Sequence, residues 1–81
     1  HDLIDEIRLH SLEVSGVIDT EKCWVRKTGM VYIVDLHVEV AGDISVFEGH
    51  EISHRLKDHL MDCIPTIADV LIHIEPARKS N

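Results

Sequence analysis

Apolar residues between Asp2 and about Val14 recur at helical spacing. Leu3, Ile4, Ile7, Ser11 and Val14 fall on one stripe, with His10 at its edge. Leu9 and Leu12 lie off that stripe and are expected to face a partner. Ser15-Gly16 ends the helix, and Gly16 can supply the left-handed conformation of a helix cap. The period then changes from 3.6 to two. Val17 to about Lys27 reads as a strand and Thr28-Gly29 as a turn. Met30 to Val40 is the cleanest strand. Its even positions, Met30, Tyr32, Val34, Leu36, Val38 and Val40, are largely apolar, and its odd positions end in Asp35, His37 and Glu39.

Ala41-Gly42-Asp43 reads as a loop. Ser45 with Glu48 three residues on is a capping box, so a second helix starts there and runs to about Cys63, stopped by Pro65. Its expected core stripe is Gly49, Ile52, Leu56, Leu60 and Cys63. The last strand spans Asp69 to Glu75, with Val70, Ile72 and Ile74 alternating with Leu71, His73 and Glu75. Pro76 ends it. The order α-β-β-α-β defines an α+β two-layer sandwich with both helices on one face of a three-stranded sheet. Residues 1–76 form a single domain and 77–81 a polar tail. The uncovered face carries Ile33, Asp35, His37, Leu71, His73 and Glu75. A small sheet with a partly apolar open face calls for a partner, and a homodimer is expected.

Composition narrows the function. The chain has 81 residues, 8 basic and 15 acidic, with a net charge of −7. That balance argues against nucleic acid and against an anionic membrane surface. An apolar content of 44% suits a folded globule rather than an acidic disordered tail. There is no apolar run long enough for a transmembrane helix and no signal peptide. The chain opens at His1 without an initiator Met, as a piece of something longer would. Cys23 and Cys63 are far apart and are expected to be reduced, partly buried thiols.

Seven histidines are the informative excess. Asp35-Leu36-His37 on one strand and His73-Ile74-Glu75 on another each place two donors on the same strand face. Imidazole and carboxylate donors suit a borderline dication such as Zn²⁺. The competing reading is an exposed face of solvated charges. His50-Glu51-Ile52-Ser53-His54 matches the H-E-x-x-H pattern of zinc metalloproteases, in which two histidines bind the metal and Glu activates water. Lys57 stands where the longer form of that motif needs Gly, and a chain of this size leaves little for a substrate cleft. His10 and His59 read as solvated and core-flanking histidines. No phosphate-cradling Gly motif is present.

The stretch Asp69-Val70-Leu71-Ile72-His73-Ile74-Glu75-Pro76 resembles the end of the C-terminal cytoplasmic domain of cation diffusion facilitator transporters. Gly49-His50-Glu51, Val34-Asp35-Leu36-His37-Val38 and Gly16-Val17 resemble its second-helix start, second strand and first turn, so nearly the whole chain is covered. The resemblance implies a ferredoxin-like, metallochaperone-like fold and a V-shaped homodimer on the cytoplasmic side of a membrane, below the transport domain of the same full-length chain. It implies interface metal ligands at His37, His50, His73 and Glu75. Asp35 matches a ligand position in the magnetosome branch, which the helix and strand texture also resembles. Glu21 takes the place of a His that zinc-transporting members can carry. The implied role is non-enzymatic: a dication, with Zn²⁺ the first choice and Fe²⁺ or Mn²⁺ as alternatives, draws two acidic protomers into a closed state that activates transport. A passive dimerisation domain, a free metal carrier and the H-E-x-x-H hydrolase are the competing functions.

Overall fold

A computed structural model describes residues 2–78. Helix α1 covers Leu3–Ser11, strand β1 Asp19–Thr28, strand β2 Val31–Val40, helix α2 Val46–Cys63 and strand β3 Ile67–Pro76. The α-β-β-α-β order is the expected one. Strand order is β1-β2-β3, with β1 antiparallel and β3 parallel to the central β2. A parallel return needs a long crossover, and α2 supplies it.

Local chemistry sets the element ends. The Asp2 carboxylate accepts from the Asp5 amide at 2.8 Å, and the Ser45 hydroxyl accepts from the Glu48 amide at 3.0 Å. Each satisfies one of the orphan donors at a helix start. Helix α1 ends at Ser11, earlier than its apolar stripe. Val14 stays buried, because successive three-residue turns at Glu13, Val14 and Val17 carry the chain inward. Gly16 does take a positive φ, +99°, but in the turn after the helix rather than at its cap. The hairpin turn is Gly29-Met30, one residue later than expected. Gly29 has φ +63° and Met30 a negative φ, the pattern of a type II′ turn. Met30 is consequently solvent-exposed.

The even residues of β2 point under the helices. Val34, Leu36 and Val38 are fully buried and meet Ile7 of α1 and Leu56 and Leu60 of α2. Each such side chain contributes about 1.5–3 kcal/mol, against ~0–1 kcal/mol for an exposed ion pair. The core, not the surface charges, therefore holds the two layers in place. Cys63 does not belong to it. The residue after the helix, Ile64, leaves helical geometry (φ −127°, ψ 87°) and turns its side chain inward, 5% exposed, so Cys63 faces solvent. Cys23 is half-buried beside the core.

Candidate metal centre

The odd residues of β2 and β3 face away from both helices. Parallel pairing sets His37 beside His73, Asp35 beside Leu71, and Glu39 beside Glu75. On the antiparallel side Trp24 stands beside Asp35. A bulge lies between Thr20 and Cys23, so Glu21 and Lys22 together oppose the single residue His37. Nothing in the residue types marks that bulge.

The strands bring four side chains into contact on this face. The Nδ1 of His37 lies 2.6 Å from Oε2 of Glu75. Since an ionised carboxylate only accepts, His37 Nδ1–H donates, and the lone pair rests on Nε2. A carboxylate behind an imidazole is the arrangement that orients a metal-ligating histidine. The hydrogen bond from His37 holds the Glu75 carboxyl below the usual range, with the charge of Lys22 adding to it. The rings of His37 and His73 are stacked, 4.3 Å apart and 13° from parallel, and Trp24 meets His37 edge-on at 5.6 Å. Stacked rings carry their nitrogens in parallel planes, so the two imidazoles do not converge on one ion between them. Of their nitrogens, His37 Nδ1 is engaged by Glu75. The His and carboxylate donors fit a borderline dication.

Further along, the buried Glu39 carboxylate accepts from Arg78 Nε at 3.1 Å, and the same nitrogen lies 3.9 Å from Glu21. Asp35 sits one pleat from His37 on the same face, half-buried. His50 is not with them. It lies on α2, in the other layer, exposed at the rim of a groove formed with Gly42, Ser53, Ile74 and Pro76. Its Nε2 is 2.9 Å from Nε2 of His54. The H-E-x-x-H pair therefore shares an exposed helix face, with Glu51 also exposed.

A second cluster joins α1 to α2. His10 Nδ1 and His59 Nε2 lie 2.9 Å and 2.8 Å from the same Glu13 oxygen, and Cys63 Sγ lies 3.6 Å from His59 Nε2. From the sequence, His10 and His59 read as solvated and core-flanking and Cys63 as core, and none of them was grouped with Glu13; the i,i+3 spacing of His10 and Glu13 and the i,i+4 spacing of His59 and Cys63 were the available signals.

The family described as "Cation efflux protein, cytoplasmic domain" matches residues 1–77, and the chain belongs to it. Among curated proteins, metal tolerance protein 2 of Oryza sativa subsp. japonica is 31% identical over 72 residues, covering 89% of this chain and 18% of that protein. Metal tolerance protein C1 of Arabidopsis thaliana is 30% identical over 74 residues, covering 91% and 16%. The chain thus spans less than a fifth of these relatives. Among solved structures, a MamM CTD variant in a cadmium form has a TM-score of 0.89 at 19% identity, covering 93% of this chain and 94% of that one. Another variant in a nickel form has the same TM-score at 19% identity, covering 93% and 95%. At these identities the likeness establishes the metallochaperone-like fold. Among the described residues no helix is long and apolar enough to cross a membrane.

Proposed function

We propose that this chain is the metal-responsive regulatory module of a divalent-cation transporter, working as a homodimer on the cytoplasmic side of the membrane and joined to a transport domain of the same full-length chain. The observation that carries the reading is the open sheet face. There His37, oriented by Glu75, stacks on His73 beside half-exposed Trp24 and Leu71. One protomer offers side-by-side nitrogens that do not close around an ion, so the site is completed by a second copy. Asp35 and His50 are further candidate ligands: Asp35 adds a carboxylate to the same face, and His50, from the other layer, can act only toward a partner or a separate ion.

A bound dication, Zn²⁺ first and Fe²⁺ or Mn²⁺ as alternatives, supplies positive charge among facing carboxylates. The chain's own part is to repel its copy through Glu21, Asp35 and Glu75 when no cation is present, and to present His37 Nε2 and the His73 nitrogens when the faces meet. If the closed arrangement binds the cation better, binding shifts the population toward it. Its closure would then be passed to the transport domain.

Calorimetric titration of Zn²⁺ into the chelator-stripped chain, with small-angle scattering on the same samples, tests this. Saturable binding at about one or two ions per protomer is expected, together with compaction of a dimer. His73→Ala should weaken the binding at least tenfold. A dimer whose shape and stability ignore Zn²⁺, Fe²⁺ and Mn²⁺ would establish the passive dimerisation domain instead.

A further inference from the structure

We propose that His10, Glu13, His59 and Cys63 form a separate dication site, of the zinc-binding class, that ties the end of α1 to the C-terminal half of α2 within one protomer. It goes beyond the interface reading above and does not depend on it.

The argument starts from spacing. His59 and Cys63 lie four residues apart on α2 and so share one helix face. His10 lies in the last turn of α1, and Glu13 in the turn that follows, where the Glu13 amide bonds back to the His10 carbonyl at 3.2 Å. Packing of α1 against α2 brings the two pairs together across 46 residues of sequence. One nitrogen, oxygen or sulfur from each of the four lies within 4.8 Å of the other three. Two imidazole nitrogens converge on a single carboxylate oxygen at 2.9 Å and 2.8 Å, and the sulfur approaches the nearer ring at 3.6 Å. The rings meet edge-on, 76° apart, and it is their shared contact with one Glu13 oxygen that brings a nitrogen of each into the same space. That is the opposite of the stacked pair on the sheet.

A tetrahedron with bonds of about 2.0–2.3 Å has edges of roughly 3.3–3.8 Å. The present spacings straddle that range, and exposed Glu13 and Cys63 side chains can make up the difference. The set is two imidazoles, a carboxylate and a thiolate, four ligands for a tetrahedral borderline ion. On binding, Cys63 gives its proton to solvent, and each histidine carries its remaining proton on the nitrogen away from the ion. Without an ion the same groups form a hydrogen-bonded cluster. The His50–His54 pair offers no comparable convergence: it is two nitrogens without a third donor brought to them.

Co²⁺ distinguishes this site from the sheet face, because a thiolate ligand gives a near-ultraviolet charge-transfer band that histidine and carboxylate ligands cannot. Co²⁺ titrated into the reduced chain should produce that band at one equivalent. It should survive Cys23→Ser and the double variant His73→Ala/Glu75→Ala. It should vanish in Cys63→Ser, and His59→Ala should lower the affinity at least tenfold. Cys63 is exposed, so its variant keeps the fold, and far-ultraviolet circular dichroism confirms this. Absence of the band in the wild-type chain, or its persistence in Cys63→Ser, overturns the proposal. Its persistence in the His73/Glu75 double variant together with unaltered total stoichiometry counts against the sheet-face site alone.

Discussion

Gly16→Ala separates two costs that usually come mixed. At Gly16 the backbone has φ +99°, and a Cβ would stand 2.6 Å from Cδ1 and 2.8 Å from Cγ1 of Ile52. Ile52 is only 5% exposed, so it cannot swing into solvent to make room. At Gly29 the backbone also has positive φ, +63°, but nothing lies within 4 Å of the added carbon. Both substitutions carry the backbone cost of about 1–3 kcal/mol. Gly16→Ala alone adds a core-overpacking cost of about 1–3 kcal/mol. The difference between the two variants should therefore be about 1–3 kcal/mol, which for a domain of this size moves Tm by roughly 4–8 °C per kcal/mol. Urea denaturation of both variants, followed by circular dichroism, measures it. If Gly16→Ala costs no more than Gly29→Ala, the close approach of the α1–β1 turn to α2 is not fixed by packing, and the reasoning fails.

Leu56→Ala, at a fully buried position in the middle of α2, should cost about 2–5 kcal/mol by denaturation; a loss under 1 kcal/mol would mean the helix is not seated as described. Glu75 has a carboxyl pKa below its ordinary value of 4.5, chiefly through the His37 hydrogen bond. Such a group contributes stability above its unfolded pKa and loses it as pH falls through the folded value. Glu75→Gln should therefore flatten the fall in urea midpoint on acidification below about pH 4.5, and an unchanged acid limb would remove the linkage. Trp24 is the only tryptophan and touches His37 at 5.6 Å. Zn²⁺ should therefore change its emission in the wild type and in Cys63→Ser but not in His37→Ala.

Period-two alternation was enough to put His37, His73 and Glu75 on one face, because strand geometry leaves no choice of side. It could not say that His37 and His73 stack, since that depends on parallel register, which only the crossover helix sets. The bulge that turns both Glu21 and Lys22 toward His37 has no Gly or Pro to announce it. On α2, residues 63 and 64 were both compatible with the stripe; the change of backbone direction at Ile64 decided between them, and helical periodicity cannot foresee it. His10, Glu13, His59 and Cys63 were unreadable as a group for a different reason. They belong to two helices whose contact is a tertiary fact, and each alone is an ordinary surface residue.

The two candidate sites differ in what completes them, and that difference is measurable. On the reading proposed above, the stacked imidazoles of the sheet face take donors from a second copy, so metal binding there is linked to association. Raising the chain concentration should then lower the free Zn²⁺ needed for half of the Trp24 emission change. The α1–α2 cluster draws every ligand from one chain, so the free Co²⁺ at half of its charge-transfer signal should not move with chain concentration. Titrations at two chain concentrations tenfold apart, in metal-buffered solution, give both midpoints, and light scattering reports whether the metal-free chain is monomeric. A Trp24 midpoint that stays fixed while the metal-free chain is monomeric means that one protomer binds the ion unaided. In that case the stacking of His37 on His73 would have to break on binding, and the sheet face would no longer be a reason for two copies to meet.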